Sequence, residues 1–496
     1  MTLVEMLERN ARDLPDQTAL IFRDEKVSYR QLNDRVNRLA QALLKLGCRP
    51  GDRVCFLLPR IPELVLTFLA GAKVRAIVAP VNFDLPAREI AATLGQLNPR
   101  VIVCHADYLT LLLPAGPETT FILTGSTESR PGCLLWDELL APQPSHNPSL
   151  AIAAADPVYL NYTSGSTGNA RGAVTTHEHI YWNTRSSVET LGLTPADVHL
   201  CLFAPFAHPH ELFARPLYLG GTMVLLDSIR PRTIARTIMA HGVTCLMALA
   251  PFFRNLIEVA ASEKFDLSSL RLPESGGMHT PVELIQAFRE AFGVPIYAVW
   301  GSTETTGIAL ANHPGGEPVL GSVGQPCSYY EVKIVGEDGQ ELSPGMIGEL
   351  IFRGPGVVQA YFEEQEENHY KYFRHGWYHS GDLGRRDAAG NFYFVERKSG
   401  MLKVAGHQVY PLEIELKLMR HAAIQEAAVI GIPDPRRGEV PKAFVVLKNG
   451  AHLERRDIIR YCAQEMATYK VPREVEICAS LPKIGSGKIN KKALRQ

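Results

Sequence analysis

The run Tyr162-Thr-Ser-Gly-Ser-Thr-Gly-Asn-Ala-Arg-Gly172 gathers hydroxyls and glycines at a density suited to holding an anion. Gly165, Gly168 and Gly172 have no Cβ, so successive amides can turn inward as a nest around phosphate oxygens. Thr163, Ser164, Ser166 and Thr167 add side-chain donors, and Arg171 adds a fixed positive charge. The run is not a Walker A loop, because no Gly-Lys followed by Ser or Thr occurs in it. A flexible polar connection is the alternative reading.

Four further segments follow in order. They are Trp300-Gly-Ser-Thr-Glu-Thr305, Tyr378-His-Ser-Gly-Asp-Leu-Gly384, Glu396-Arg-Lys-Ser-Gly400 and Pro482-Lys-Ile-Gly-Ser-Gly-Lys-Ile489. The five together resemble the adenylate-forming superfamily: acyl-CoA synthetases, adenylation domains of peptide synthetases, and firefly luciferase. The resemblance extends from Ser28-Tyr-Arg-Gln-Leu-Asn33 to Lys488, nearly the whole chain.

It implies that a carboxylate attacks the α-phosphorus of ATP while pyrophosphate leaves. Both partners are anionic, so the main tasks are charge neutralisation and in-line positioning. The loop at 163–172 would hold the departing β- and γ-phosphates. Glu304 is the Mg²⁺ candidate, since that ion is usually held by one or two carboxylates plus phosphate oxygens; an exposed strand-end acid is its bland alternative. Thr303 would donate to the α-phosphate, with Gly301 and Ser302 lining the nucleotide beside it. Asp382 offers two acceptor oxygens to the ribose hydroxyls, and Arg397 a ribose or phosphate contact. Gly381 and Gly384 make a purely structural turn the alternative there.

Ser275-Gly-Gly-Met278 resembles the family's adenine-binding turn, with Gly276, Gly277 and Met278 against the base. Trp300 stands where tyrosine is usual; its ring could stack on adenine or simply end a buried strand. Lys488 falls at the family's catalytic lysine, which bridges attacking carboxylate and α-phosphate, although a terminal basic run is ordinarily solvated tail. His208 matches the residue lining the acyl and thiol channel. A structural histidine is its alternative.

In the family's second step a mobile small domain rotates, withdrawing Lys488 and bringing Lys403-Val-Ala-Gly-His407 to the site. Lys403, Gly406 and His407 would line the thiol path, and Gly406 would let a pantetheine arm pass. Three departures stand out: Ala170-Arg171 replaces Pro-Lys, Ser399 occupies the hinge position, and Trp300 replaces tyrosine. None removes a catalytic group.

The resemblance therefore implies an acid–CoA ligase that uses ATP, Mg²⁺ and coenzyme A. The alternative is an acyl-AMP ligase loading a carrier-protein phosphopantetheine. Amino-acid activation fits less well, because Ala207 and His208 follow Phe206 where an aspartate would hold the substrate amine. A non-catalytic nucleotide-binding protein is the remaining reading. Expected partners are the acid and the thiol, with no nucleic acid and no membrane span; a homodimer stays open.

The chain of 496 residues is too long for one ordinary core. An apolar content of 46% and a charged content of 21% suit a globular enzyme and exclude a disordered chain. The longest apolar stretch, Leu64 to Val81, is broken by Lys73 and Arg75, so no membrane span is expected. The nine cysteines include no Cys-x-x-Cys pair, and the first residues lack a signal-peptide pattern, so a cytoplasmic protein is expected. From Ser399 onward 17 Lys+Arg face 10 Asp+Glu, a balance of +7 within a chain of net charge −1. That basic end could attract a polyphosphate, or reflect ordinary surface variation.

Ser28 and Gln31 form a capping box for a helix toward Gly47, with Leu32, Val36, Leu39, Ala40, Leu43 and Leu44 on one face. Val101–Cys104, Cys201–Ala204 and Val294–Trp300 read as buried strands, the last with Pro295 near its start. Alternation of such runs with helical patterns predicts an α/β fold: a large N-terminal domain of layered α/β sheets at 1–398. Its β-rich subdomain covers about 322–398, with a hairpin turn at Asp338-Gly339. A small mobile α+β domain follows at 399–496, past a hinge at 398–400. It contains helices at 411–419 and 452–466 and strands at 426–432, 443–448 and 475–478.

Overall fold

The computed structural model describes residues 1–112, 119–162, 171–363, 370–483 and 488–495. Two compact units emerge. The first takes its described residues from 1–165, 169–331 and 352–378, and the second from 332–351 and 379–496.

Among the described residues the first unit holds two large sheets. One has seven strands in the spatial order Cys133–Leu135, Thr120–Thr124, Val101–His105, Arg53–Leu57, Ile77–Pro80, Pro157–Tyr162 and Gly172–Thr176. All pair in parallel except the last two, which are antiparallel. The other has nine, from Gln325–Pro326 through Gly307–Ala311, Tyr297–Ser302, Leu272–Ser275, Cys245–Ala248, Val198–Cys201, Thr222–Leu225 and Thr18–Phe22 to Glu25–Ser28. It is parallel in its interior, and antiparallel returns close both ends. Residues 303–306 connect the outgoing strand Tyr297–Ser302 to its antiparallel return, and Pro157–Tyr162 likewise pairs antiparallel with Gly172–Thr176. The turn at 303–306 lies at the carboxyl end of its outgoing strand, where open α/β sheets bind ligands.

The expected strand at Val294–Trp300 forms as Tyr297–Ser302, with Pro295 left outside the ladder. The strand expected at Cys201–Ala204 is corrected to Val198–Cys201. Leu202 is still buried and its N–H reaches Met247 O at 2.8 Å, but the chain then leaves the sheet. Apolar character outlasts the ladder there because the loop itself is packed.

The helix Tyr29–Lys45 starts at the expected capping box, with Ser28 Oγ accepting from Gln31 N and Gln31 accepting in return from Ser28 N. Helix Pro62–Lys73 is buried over its whole length from Leu64 onward. Its Phe68 packs between the rings of Tyr159 (5.3 Å) and Phe213 (5.1 Å), which pins the strand that leads into residue 163. Lys73 is buried at the end of this helix and is satisfied by Glu8 at 2.7 Å and by Asn33 and Asn147 at 2.9 Å. An interior ammonium persists when it is paired in this way.

The second unit contains most of an antiparallel sheet that includes Gly348–Arg353, Trp377–Arg386 and Phe392–Arg397. It also holds a second sheet ordered His407–Val409, Leu402–Val404, Gly438–Leu447, Ile424–Asp434, with Glu474–Cys478 parallel to Gly438–Leu447. Helices Pro411–Met419 and Arg455–Glu465 cover that sheet. Ile414, Leu418, Val429, Val445, Ile458 and Cys462 form its core. The later helix starts three residues after the expected His452, where Glu454 and Asp457 cap it reciprocally. At Asp338-Gly339 the expected turn is present, with Gly339 at φ +79°, but the return beyond it is a single bridge between Val335 and Glu341. No helix among the described residues is long and apolar enough to cross a membrane.

Candidate active site

The turn that carries Thr303 and Glu304 is held from below by buried side chains of the first unit. Asn183 Nδ2 donates to Thr305 O at 3.1 Å and to Ile308 O at 2.9 Å. The Tyr330 hydroxyl donates to Thr305 O at 2.7 Å, and His210 Nε2 donates to Thr306 O at 2.8 Å. Burial keeps the His210 imidazole on its neutral side. These bonds sustain Thr306 at φ +58°, a backbone state unusual for a β-branched residue. Gly301 is required alongside, because a Cβ there would lie 2.4 Å from Gly307 O across the hairpin.

Glu304 is 7% exposed. Tyr361 Oη donates to its Oε1 at 2.6 Å, and Val358 N donates to its backbone carbonyl at 2.8 Å. The phenol stays a donor, since burial and the neighbouring carboxylate push its pKa well above the usual tyrosine range. A buried carboxylate with one oxygen fixed and a second available is a suitable donor for a hard cation. Mg²⁺ therefore fits the residues present.

Thr163, Ser164, Gly165, Ser166, Thr167 and Gly168 lie outside the described residues. Arg171, at the exit of that loop, places its guanidinium 4.5 Å from the Tyr372 ring centroid and 5.6 Å from that of Tyr361. Gly276 and Gly277 follow the strand Leu272–Ser275. Gly276 sits against Val299 and Phe203 so closely that a Cβ would meet Val299 Cγ2 at 2.8 Å, while Met278 packs at the edge of the core. Trp300 is 8% exposed, and its ring stacks on Phe352 at 4.1 Å and 1° between planes. One face of the indole therefore belongs to the core. His208 Nδ1 lies 3.2 Å from the Asn161 amide, which ties the histidine to the strand preceding the loop.

Beneath this segment lies a charge cluster that no local pattern announced. Arg215 Nη1 donates to Glu274 at 2.7 Å, with Glu211 at 3.8 Å, and all three side chains are buried.

The second unit brings together Asp382, Arg397 and Lys488. Asp382 lies inside the strand Trp377–Arg386, opposite Arg397 in register, rather than in a turn. Its carboxylate is 2% exposed and pairs with Arg397 Nε at 2.8 Å. Lys488 flanks a bridge between Lys483 and Ile489, and it lies close enough to Asp382 and Arg397 for their charges to act on it. Burial and Arg397 push its ammonium pKa down, and Asp382 opposes that shift. Lys403, Gly406 and His407 belong to the hairpin Leu402–Val404/His407–Val409. Gly406 takes φ +85° with open space where a Cβ would point, and His407 stacks on Tyr469 at 4.3 Å. The short helical turn Lys398–Gly400 carries Ser399.

Residues 7–362 match the AMP-binding enzyme family, and residues 413–488 match the AMP-binding enzyme C-terminal domain. The chain is 32% identical to a feruloyl-CoA synthase of Amycolatopsis sp, over 98% of this chain and 97% of that one. It superimposes on an anthranilate CoA ligase in complex with anthranoyl-AMP with a TM-score of 0.92 and 31% identity, covering 100% of this chain and 96% of the other. An o-succinylbenzoate coenzyme A synthetase from Bacillus subtilis, in complex with ATP and magnesium ion, matches with a TM-score of 0.87 and 27% identity over 99% of each chain. These relatives are CoA ligases, so carrier-protein loading is not favoured. The chain belongs to the AMP-binding enzyme family, as an AMP-forming acid–CoA ligase using ATP, Mg²⁺ and coenzyme A.

Proposed function

We propose that the acid is aromatic and that the two half-reactions draw on separate groups of residues. In the first, Arg171 and the donors of 163–168 hold the departing phosphates, and Thr303 donates to the α-phosphate. Glu304 holds Mg²⁺, which neutralises phosphate charge when bound. Asp382 accepts the ribose hydroxyls with Arg397 beside it, while Gly276, Gly277 and Met278 flank the adenine. Lys488 steadies the carboxylate oxygen as it attacks the α-phosphorus and the bond to pyrophosphate breaks. In the second, Lys403, Gly406, His407 and His208 line the thiol path. The thiol sulfur attacks the acyl carbon, and the bond to AMP breaks.

The observation that carries this reading is the group of Lys488, Arg397 and Asp382. Two cations stand beside one carboxylate, and burial together with the Arg397 charge disfavours the charged form of Lys488 until an anion arrives. A nucleotide phosphate meets that need.

Support for an aromatic acid comes from the aromatic cluster that includes Phe206, two residues before His208. Phe206 meets Phe83 edge-on at 5.1 Å, Phe83 stacks on Tyr108 at 4.2 Å, and Phe203 borders Gly276. The feruloyl and anthranilate names of two relatives point the same way. A pyrophosphate-release screen over aromatic, alicyclic, short and medium-chain acids, with and without coenzyme A, tests both parts. Aromatic acids should give the highest kcat/KM; an aliphatic acid preferred by about tenfold or more, roughly what one or two methylenes are worth in a pocket, would overturn the aromatic assignment.

A further inference from the structure

Glu304 is held by a tyrosine 57 residues along the chain, and the same tyrosine touches the exit of the phosphate-binding run. The segment carrying Tyr361 is stitched to the strand Gly172–Thr176: Phe362 N donates to Gly172 O at 2.7 Å, and Val174 N donates to Ala360 O at 3.0 Å. Ala173 and Tyr361 form an isolated bridge between the two segments. The Tyr361 ring is buried edge-on against Tyr372 at 5.7 Å and packs on Phe373 at 5.6 Å, with the Arg171 guanidinium within cation–π distance of Tyr361 and Tyr372. The Tyr361 phenol therefore fixes a carboxylate, while its ring helps seat a guanidinium.

A glutamate has three side-chain torsions, and a donor on one oxygen selects among their combinations. We propose that Tyr361 is a positioning residue that couples the metal carboxylate to the phosphate-binding arginine. Its hydroxyl holds Glu304 with Oε2 presented to Mg²⁺, and its ring keeps Arg171 beside the departing phosphates. The proposal rests on the assignment of Glu304 as metal ligand. Residues that orient a ligating group typically contribute 10–100-fold in metal affinity.

The test uses the full chain with Tyr361→Phe, which removes one oxygen and keeps the ring. Mn²⁺ binding is read by electron paramagnetic resonance in the presence of a non-hydrolysable ATP analogue, alongside the Mg²⁺ dependence of acyl-AMP formation. Tyr361→Phe should weaken Mn²⁺ binding about tenfold or more, and saturating Mg²⁺ should restore most of the adenylation rate. In a Glu304→Gln background the same substitution should have no further effect on Mn²⁺ binding, as coupled groups behave in a double-mutant cycle. Unchanged Mn²⁺ affinity in folded Tyr361→Phe, with Glu304→Gln impaired, would make Tyr361 a packing residue only and leave the metal assignment standing. Unchanged affinity in Glu304→Gln itself would overturn that assignment and this proposal with it. If Tyr361→Phe does not fold, Glu304→Asp breaks the same contact from the other side, since its shorter arm cannot reach the phenol. It should weaken Mn²⁺ binding to a similar degree, and undiminished binding would refute the coupling.

Discussion

Replacing Lys488 with alanine should separate the two half-reactions. Its ammonium lies beside Arg397 and Asp382, and both burial and Arg397 work against its charge in the free protein. On the proposed function the compensating anion is the nucleotide, so the interaction would be made with bound substrate and strengthen as charge develops. Losing a preorganised donor of this kind costs on the order of 10²–10³ in rate, about 2.7–4 kcal/mol of barrier. Asp382 and Arg397 keep their 2.8 Å pair in the mutant, so nucleotide affinity should change far less than the rate. The counterpart is Gly406→Leu. Gly406 has φ +85° and, its chain neighbours aside, no atom within 4 Å of the place a Cβ would occupy, so a side chain there meets backbone strain but enters open space at its Cβ. That strain is about 1–2 kcal/mol, below the roughly 5–15 kcal/mol of an ordinary domain, and the variant should fold. Rapid-quench measurement of acyl-AMP formation is set against thioester formation from supplied acyl-AMP and coenzyme A. Lys488→Ala should lose the first and retain the second, and Gly406→Leu should show the reverse. Equal loss of both steps in both folded variants would refute an exchange of these two groups between half-reactions.

Three further outcomes follow from individual environments. Arg215→Leu leaves Glu274 and Glu211 buried without their cation, and breaking such a pair costs about 3–5 kcal/mol; chemical denaturation showing a loss below about 1 kcal/mol would contradict the buried pairing. Burial holds His177 and His179 at pKa values of about 4 and His199 at about 3, each below the unfolded value of 6.5. The unfolded chain therefore binds more protons in acid, so stability should be full above about pH 6.5 and fall as pH drops toward 4; a flat unfolding midpoint across that window would contradict the neutral burial of these rings. Arg171→Ala should raise the KM for ATP, whereas an unchanged ATP dependence would place Arg171 outside the phosphate site.

The sequence made local features legible because their causes are local. Ser28 and Gln31 cap the helix they predict, and Asp338-Gly339 makes its turn. Motif residues fall at strand ends and in hairpins because a backbone that must approach a ligand needs particular residue types at close spacing. What escaped was every contact set by strand order. Glu304 meets Tyr361, Arg215 meets Glu274 59 residues away, and Asn161 meets His208 across 47. None of these pairs has a periodicity, since either partner alone is only a polar residue in an apolar neighbourhood. Asp382 and Arg397 were both legible as site residues, but their direct pairing depends on a register in which a bulge lies between Leu383 and Gly384. Trp300 shows the same limit from the other side. Its place in the motif suggested adenine, yet Phe352, some way along the chain in another strand, covers one face of its ring. A motif fixes which atoms are available to a ligand, and the sheet that carries it decides which of them the protein has already used.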